Sequence, residues 1–543
     1  MTYFYFVYLI LIVLILVVAR HGFYRISHYL HIYQQHGYKS HEYRAWLWPK
    51  VAGELIKGPH LFVIPLFLIG LIQSQLTWTA FTLSIAVFGI FYFGSVKYLR
   101  SDRPKKPLVY TPRLSRQAVI AFSLYGLFAF LGIWLGMQSP QMGADVSIIM
   151  VMMILADIAS PYLVLIAGLI TRPLENYYQE GFKKKARKKL ASMPNLKIVA
   201  ITGSYGKTSV KFILKTLLQE RYQVCFTPGS FNTPMGICKV INNDLNAGHQ
   251  ILILEMGARY EGNIKELCEI ARPHVSVVTN VGVAHLETFG SVDMIAKTKS
   301  EIIEHMHPGG TAILNSDDER VLAMKNIRED VTVIRAGLNT GIFRVADISY
   351  DQDGCHFQLT DPEAITAQVK TPLLGEHNVA NLLLGFGAGR HFGLRTATMA
   401  VAARRIEPVE HRLELRKNGN ITVIDDAFNS NPVGAKSAVD VLSQFNSGRR
   451  IIVTPGMIEL GERQDEENEL FGRHIGKSGI DEAILVGPGT APIQKGILAE
   501  GYPESSVKIF GTLFEAQDYL KTSLRDGDVV LYENDLPDSL EQA

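Results

Sequence analysis

The sequence predicts a multi-pass α-helical membrane domain followed by an α/β half. Long runs without charge occupy the first 175 residues, whereas strand and helix patterns alternate in the rest of the 543-residue chain. An apolar strand, a glycine-rich loop and a helix follow one another over residues 196–222. This order is typical of an open α/β sheet that binds phosphate at the ends of its strands. A chain of this length is expected to hold about three or four domains.

The overall composition argues against several kinds of protein. The formal net charge is +2 and 47% of the residues are hydrophobic, so charge gives no general reason to expect a nucleic-acid partner. The four cysteines lie far apart and no two form a CxxC pair: Cys225, Cys238, Cys268 and Cys355. A disulfide framework or a zinc site is therefore not expected, and a reducing compartment fits.

The membrane domain, residues 1–175, is predicted from five apolar segments of about the 20 residues that a spanning helix needs. They are residues 3–19, two helices within 58–96, residues 118–137 and residues 146–171. The first segment lacks the basic start and the small-residue cleavage site of a signal peptide, which favours a retained helix.

Lys and Arg residues cluster on alternate connections between these segments. Residues 20–50, 97–116 and 183–189 are rich in them, whereas the connections near Gln73 and over 138–145 contain none. The positive-inside rule then places the amino terminus outside and everything after Thr171 in the cytosol, at the cell (plasma or inner) membrane. The run at 183–189 is either this topology signal or a site for anionic lipid head groups.

Asp157 lies within the last apolar segment. A carboxylate is costly in hydrocarbon, so it is expected to face protein or water. Two interpretations stay open: packing against other helices, or a role in handling a lipid-linked substrate.

The glycine-rich loop Gly203-Ser-Tyr-Gly-Lys-Thr208 connects a predicted strand at 196–202 to a predicted helix at 209–222. Glycines let the backbone N–H groups face phosphate oxygens, and the helix terminus adds a positive dipole. Lys207 is expected at the β/γ-phosphates and the Thr208 hydroxyl at Mg²⁺. The cofactor-binding set predicted here is Gly203, Ser204, Gly206, Lys207, Thr208 and Ser209. The loop is one residue shorter than the common GxxxxGK[ST] pattern.

Further motifs follow the loop in order, with strands predicted at 250–254 and 275–279 and a helix at 379–392. The motifs are SFNTPMG at 230–236, EMGA at 255–258, AHLETFG at 284–290, KTKSEI at 297–302, LGEHNVAN at 374–381, PVEHR at 408–412, DDAFNSNP at 425–432 and MIELG at 457–461. Over about residues 195–465 this series resembles the Mur ligase family, and within it the MurF branch.

The resemblance implies a central α/β P-loop ATP-binding domain at 195–403 and a Rossmann-like α/β C-terminal domain at 404–543, with a basic linker at 176–194. It implies an ADP-forming acid–amino-acid ligase of cell-envelope, or peptidoglycan, synthesis. In that reaction ATP activates a carboxylate as an acyl phosphate, and an amine then forms the amide. The implied partners are a carboxylate acceptor and an amine donor of the envelope beside the lipid bilayer, and no nucleic acid.

The resemblance also implies a metal set. Thr208 and Glu255 are expected to bind the Mg²⁺ that accompanies ATP, and His285 is expected to ligate a second metal. Lys299 is implied to be carbamylated, because a carbamate offers an oxygen ligand where a cationic lysine would repel the ion. Lys297 is only two residues away, so helical geometry points it elsewhere.

The implied catalytic residues are Lys207, His285, Lys299 and Arg412. The resemblance adds further nucleotide contacts from the second half of the chain: Asn378, Asn381, Arg412, Asp426, Asn429 and Asn431. For each asparagine and aspartate, a cap or turn position is the alternative interpretation.

The chain departs from the MurF pattern at both ends. Membrane helices stand where that branch has a domain for the UDP-linked sugar, and the last strand ends in the acidic stretch YENDLPD at 532–538 instead of a basic one. This stretch is expected either to attract a cationic amine or to be a solvated chain end. Two other functions stay open: a poly-γ-glutamate synthase-like ligase, and a nonenzymatic membrane scaffold with a Mur-like fold.

Overall fold

The computed structural model describes residues 2–50, 90, 93, 107–138, 144–229, 231–282, 286–427, 432–458, 460 and 463–534. The chain forms two compact units, Met1–Glu180 and Gly181–Ala543. The two helices expected within 58–96 lie outside the described residues, apart from Ile90 and Phe93.

The first unit is helical in its described part. Its helices are α1 (Thr2–Gln35), α2 (Ser40–Leu47), a 3₁₀ turn (Trp48–Lys50), α3 (Pro112–Met137) and α4 (Ala144–Ala191). The start of α3 follows from its sequence, because Pro112 suits the first turn and the Thr111 hydroxyl accepts a hydrogen bond from the Leu114 N–H at 3.2 Å. Helix α4 continues through most of the residues expected to form a linker.

Two helices in the described part of the chain are long and apolar enough to cross a membrane, by length and composition alone. They are Pro112–Met137 and Ile148–Ala191 within α4. They contain the fourth segment expected to span and the fifth from Ile148 onward, and the first segment lies in α1. The five-helix topology stays a prediction.

Asp157 is fully buried in the first unit and lies next to basic side chains of α1. One of its carboxylate oxygens is 3.2 Å from the His21 Nε2, and the other is 3.9 Å from the Arg25 Nε. The Arg25 Nε also donates to the Ser160 hydroxyl at 2.9 Å. These contacts are those expected of a carboxylate packed between helices.

The second unit begins its α/β part with a six-stranded parallel sheet in the order β2-β3-β1-β4-β5-β6. The strands are β1 (Lys197–Thr202), β2 (Val224–Phe226), β3 (Ile251–Glu255), β4 (Val275–Val278), β5 (Thr311–Asn315) and β6 (Thr332–Ala336). Strands β3 and β4 are buried throughout, as their apolar sequences require of a sheet covered on both faces. The strands expected at 196–202, 250–254 and 275–279 are thereby confirmed within one residue.

Helices cover both faces of this sheet. They are α5 (Lys207–Leu218), α6 (Pro234–Asn243), α7 (Asn263–Ile270), α8 (Leu286–Phe289), α9 (Val292–Glu304), α10 (Glu319–Ala323), a 3₁₀ turn (Met324–Asn326) and α11 (Glu376–His391). Helix α5 begins two residues earlier than expected because Gly206, with a φ of 78°, ends the loop immediately before it.

A small antiparallel sheet separates α10 from α11. Its strands are β7 (Arg344–Asp351), β8 (Gly354–Thr360) and β9 (Thr366–Thr371), and α11 is followed by α12 (Thr396–Ala402) and a 3₁₀ turn (Ala403–Arg405). The inward side chains of β8, among them Phe357 and Leu359, join the core that α5 and α11 share.

The C-terminal part contains a second six-stranded sheet in the order β10-β11-β15-β12-β13-β14, in which β10 alone is antiparallel. The strands are β10 (Glu414–Asn418), β11 (Ile421–Asp426), β12 (Arg450–Thr454), β13 (Glu482–Val486), β14 (Val507–Phe510) and β15 (Val529–Glu533). The helices are α13 (Pro432–Ser443), α14 (Gln464–Lys477), α15 (Ala491–Ala499), a 3₁₀ turn (Glu504–Ser506) and α16 (Leu513–Ser523).

Glu533, the last residue of β15, is not exposed to solvent. Its side chain is fully buried and accepts a hydrogen bond from the Thr454 hydroxyl at 2.6 Å, and Asn534 is 8% exposed. The solvated interpretation is therefore wrong for these two residues, because β15 runs in the middle of the sheet between β11 and β12. Asp535 and Asp538 lie outside the described residues.

Candidate functional site: a phosphate loop and its carboxylate

The glycine-rich loop connects the carboxyl end of β1 to the start of α5, in the middle of the parallel sheet. The segment that follows the neighbouring strand β4 fixes the loop by hydrogen bonds. The Ser204 N–H donates to the Asn280 carbonyl at 2.9 Å, and the Tyr205 N–H donates to the Asn280 side-chain oxygen at 2.8 Å. These hydrogen bonds fix the loop backbone at the edge of the sheet where ligands bind in open α/β folds.

Two glycines of the loop have no room for a side chain. A Cβ at Gly203 would lie 1.9 Å from the Thr279 hydroxyl oxygen, and one at Gly206 would lie 2.7 Å from the Asn381 side-chain oxygen. Both glycines have positive φ angles, 150° and 78°. Glycine is therefore required twice, by backbone conformation and by close approach.

Lys207 folds back over the loop. Its Nζ donates to the Gly203 carbonyl at 2.8 Å and to the Ser204 carbonyl at 3.1 Å. Burial lowers the pKa of Lys207 from its ordinary value, Glu255 opposes that shift, and Arg412 adds to it. The Lys207 ammonium thus lies inside the curve of the loop, where it could donate hydrogen bonds to a bound phosphate.

Glu255 is the carboxylate at the centre of the site, at the end of β3 and 2% exposed. One of its oxygens accepts hydrogen bonds from the Thr208 hydroxyl and from the Lys211 Nζ, each at 3.1 Å. Its other oxygen accepts from the Asn232 Nδ2 at 3.3 Å. The structure therefore brings together Thr208 and Glu255, the two residues expected to bind the Mg²⁺ that accompanies ATP.

Lys211 was not among the residues that the sequence singled out. It is fully buried, pairs with Glu255, and also donates to the Gly229 carbonyl. It lies one helical turn after Lys207 on α5. Lys211 shares a helix face with Val210 and Leu214, which pack in the core. This spacing is the sequence signal that could have identified Lys211 as a buried residue of the site.

Lys299 lies on α9 and is 3% exposed. Burial, with the neighbouring positive charge of Lys207, lowers the pKa of Lys299 to about 7. Lys297 behaves differently: it is exposed and pairs with Glu261 at 2.7 Å. The expectation that these two lysines face different ways is confirmed.

Asn378 and Asn381 lie in the first turns of α11 and are both 6% exposed. The Asn378 Nδ2 donates to the Leu374 carbonyl at 2.9 Å, which ties the helix start to the preceding segment. Asn381 instead lies against Gly206. The structure therefore places Asn381 beside the phosphate loop.

Arg412 lies in the segment between the central and C-terminal domains. Its neighbours His411 and Leu413 have φ angles of 57° and 45°, which are unusual for residues with side chains. The Leu413 N–H donates to an Asp426 oxygen at 3.1 Å. This bent backbone brings the positive charge of Arg412 close enough to influence Lys207.

Asp426 is the last residue of β11 in the C-terminal sheet. Burial and the negative charge of Glu533 raise the pKa of Asp426 to about 7, although the Leu413 hydrogen bond and Arg412 oppose the shift. Asp425 points to other partners, His411 at 2.9 Å and Arg416 at 3.2 Å. The two adjacent carboxylates therefore have different environments.

Three residues expected in the site, His285, Asn429 and Asn431, lie outside the described residues. Within the described ranges, no group of three or more His, Cys, Asp and Glu side chains is arranged to hold a metal.

Comparison with known proteins gives the same two domains. Residues 201–389 match the model of the Mur ligase middle domain, and residues 411–532 match the Mur ligase, glutamate ligase domain. The chain is 34% identical over 348 residues to a UDP-N-acetylmuramoyl-tripeptide--D-alanyl-D-alanine ligase of Mycobacterium tuberculosis, covering 62% of this chain and 67% of the relative. A Bacillus subtilis ligase of the same name is 28% identical, with coverage of 62% and 72%.

Solved structures show the same likeness. The structure of MurF ligase from Thermotoga maritima in complex with ADP is 28% identical, with a TM-score of 0.57 and coverage of 66% of this chain and 80% of that one. MurF from Acinetobacter baumannii is 26% identical, with a TM-score of 0.59 and coverage of 66% and 77%.

Proposed function

The chain belongs to the Mur ligase family and is therefore an ATP-dependent, ADP-forming ligase, and we propose that it is a membrane-anchored enzyme of MurF type in peptidoglycan precursor synthesis. The single observation that carries the proposal is the Thr208–Glu255–Lys211 cluster beside the phosphate loop, in a chain whose similarity to the MurF relatives extends over both domains. The names of those relatives suggest a muramoyl-tripeptide acceptor and D-alanyl-D-alanine as the incoming amine for this chain.

The first step of the proposed reaction is phosphoryl transfer. The acceptor carboxylate oxygen attacks the γ-phosphorus of ATP, and the bond from that phosphorus to the β–γ bridging oxygen breaks. The products of this step are ADP and an acyl phosphate. Lys207 and the loop N–H groups hold the phosphates, and Arg412 adds positive charge from the hinge. Positioned cations of this kind account for much of phosphoryl-transfer catalysis.

The second step forms the amide. The amine nitrogen attacks the acyl carbon, the carbon–oxygen bond to phosphate breaks, and the amine loses a proton. In the proposed arrangement Asp426 faces the loop from the C-terminal domain, and its pKa of about 7 lets it exchange a proton near neutral pH. We propose that Asp426 contacts the nucleotide or its metal, with Asn378, Asn381, Asn429 and Asn431 shaping the nucleotide site.

The oxygen atoms at the loop fit a magnesium ion. The Thr208 hydroxyl and the Glu255 carboxylate lie within 3.1 Å of each other, and hard oxygen ligands are those that Mg²⁺ prefers. When bound, the ion would neutralise charge on the phosphates. His285 and Lys299 would serve a second ion.

The environment of Lys299 supports carbamylation. With a pKa of about 7, roughly half of the amine is uncharged at neutral pH. The lone pair of this neutral fraction can add to CO₂ with loss of a proton. The resulting carbamate would carry negative charge toward Lys207, which now repels the lysine.

The membrane anchor is proposed from the apolar helices of the first unit, with the ligase half on the cytoplasmic side, where ATP is available. Anchoring raises the effective concentration of the enzyme near lipid-linked precursors. We propose that the acceptor is a carboxylate of the envelope held close to the bilayer, either UDP-linked or lipid-linked.

Product analysis by mass spectrometry tests this proposal. The full chain in detergent is given ATP, Mg²⁺ and D-alanyl-D-alanine with either a UDP-linked or a lipid-linked muramyl tripeptide. We expect an amide product and ADP in equal amounts from at least one acceptor, and none from Lys207→Ala. ADP release without an amide from either acceptor, or polymer formation from glutamate alone, would contradict the proposal.

A further inference from the structure

A cavity of the ligase half lies at the edge of the central sheet opposite to the phosphate loop. Its volume is about 820 Å³, within the range of small-molecule sites. Its lining includes Lys197, Ile251, Val275 and Thr311, the first residues of β1, β3, β4 and β5. The phosphate loop follows the last residue of β1, so the two sites are separated by the length of the strands.

The lining of this cavity is basic. It contains Lys197, His249, His274, His307 and His391, and of the described residues that line it none is Asp or Glu. Four histidines converge here although the chain has only 16. Because the described lining has basic side chains and no carboxylate, it favours anions over cations.

Two of the histidines form a stacked pair. The rings of His274 and His307 are 4.1 Å apart with 26° between their planes. The His274 Nδ1 accepts a hydrogen bond from the Ile198 N–H at 3.1 Å, which fixes the ring and leaves the proton of the neutral form on Nε2. The His274 ring is therefore positioned by the backbone, while its other nitrogen is available to donate.

The charge state of the histidines follows from their surroundings. Burial, with His307 and Lys197, lowers the pKa of His274 to about 4. Burial also lowers the pKa of His307, with Arg272 and Lys197, and the pKa of His391, with Lys197. His274, His307 and His391 are thus mainly neutral near neutral pH, and a bound anion would draw protons onto them.

The charged groups next to the cavity are engaged with other partners. Arg272 is occupied by the carbonyls of His305 and Met306. The Asp330 carboxylate lies next to the lining residue Gly309. It accepts a hydrogen bond from the Gly309 N–H at 3.0 Å and is paired with Arg328.

We propose that this cavity binds a phosphate-bearing anion at a site separate from the nucleotide site. Lys197 and the histidines would hold the phosphate, while Tyr222 and Phe392, whose rings are 5.9 Å apart, provide an aromatic wall for the organic part of the ligand. The phosphate could belong to a soluble ester or to a lipid head group, since both present the same charged oxygens to the lining.

Binding of inorganic sulfate to the full chain tests the proposal. Sulfate keeps its charge where phosphate titrates, and saturating ADP with Mg²⁺ occupies the phosphate loop. Hydrogen exchange of peptides covering 247–251 and 305–311 reports on the cavity, and calorimetry in two buffers reports proton uptake. We expect protection of these peptides, uptake of protons, and at least about fivefold tighter binding near pH 6 than near pH 8.

The variant His307→Gln/His391→Gln removes two imidazole rings of the lining and leaves Lys197 and His274 in place. We expect at least about fivefold weaker sulfate binding and loss of most of the proton uptake. His305→Gln, two residues from His307 and outside the lining, should bind as the natural chain does. Equal stabilisation of all variants by ADP shows that they are folded.

Two results overturn the proposal: sulfate that protects neither peptide, or protection that the double variant retains in full. Glycerol 3-phosphate and dihexanoyl phosphatidic acid then distinguish the two sources of the phosphate. A lipid site should bind the phosphatidic acid at least about tenfold more tightly, and a soluble-ester site should bind both alike.

Discussion

Replacing Lys211 by methionine tests the buried pair that orients Glu255. Methionine keeps the length of the side chain but removes its charge. The Lys211 and Glu255 side chains are 0% and 2% exposed and lie 3.1 Å apart. Breaking a buried ion pair from one side leaves an uncompensated charge, which costs about 3–5 kcal/mol. We expect about 3 kcal/mol, the lower end, because Thr208 and Asn232 still donate to the carboxylate.

Hydrogen exchange in the full chain is the suitable assay. All four tryptophans lie before residue 135, so their fluorescence does not report on the ligase half. The amides of β3 (Ile251–Glu255) exchange through opening of the surrounding structure. A loss of about 3 kcal/mol in their opening free energy corresponds to roughly a hundredfold faster exchange.

Lys215→Met is the matched control, one helical turn farther along α5. Lys215 pairs with Glu407 at 3.3 Å, but Glu407 is 73% exposed. An exposed pair contributes less than about 1 kcal/mol, so exchange in β3 should change by less than about fivefold. If Lys211→Met accelerates exchange no more than this control does, the buried pair does not stabilise the site and the reasoning is refuted.

Three further predictions concern the site and the anchor. Lys299→Ala should reduce ligase activity at least about a hundredfold, and acetate should restore part of it by supplying an oxygen ligand. The control variant Lys297→Ala, at an exposed position, should keep a rate near that of the natural chain. An active Lys299→Ala enzyme would argue against the carbamate. Gly206→Ala should weaken ATP binding at least about tenfold in a titration, because the added Cβ would lie 2.7 Å from the Asn381 oxygen; unchanged affinity would show that the loop can adjust. A reporter fused at Ala543 should be active only in the cytosol, and periplasmic activity would contradict the proposed topology.

The phosphate loop shows how far local sequence reaches. A strand of buried apolar residues, glycines at two positions and a following amphipathic helix are local features, so the loop between β1 and α5 could be predicted. The strand before Glu255 was predictable for the same reason, and the carboxyl ends of adjacent parallel strands meet at one edge of a sheet. The pairing of Thr208 with Glu255 follows from those two facts.

Other parts of the site depend on contacts between distant segments. The approach of Thr279 to Gly203, the hydrogen bonds from the loop to Asn280, and the position of Asn381 against Gly206 all depend on how strands and helices pack. Lys211 was missed because a lysine on a helix is usually solvated, and only packing shows that this one is buried. His285, Asn429 and Asn431 stay predictions.

The sequence by itself determined the family, the order of the α/β elements, the phosphate loop and the apolar character of the first unit, because motifs and hydrophobic periodicity are local properties of the chain. The tertiary structure decided which side chains lose contact with water. It buried Glu533 in the middle of the second sheet, lowered the pKa of Lys299 and raised that of Asp426. It also gathered four histidines from distant segments around one cavity. Burial and charge proximity depend on the three-dimensional packing of the whole unit, so no local pattern encodes them.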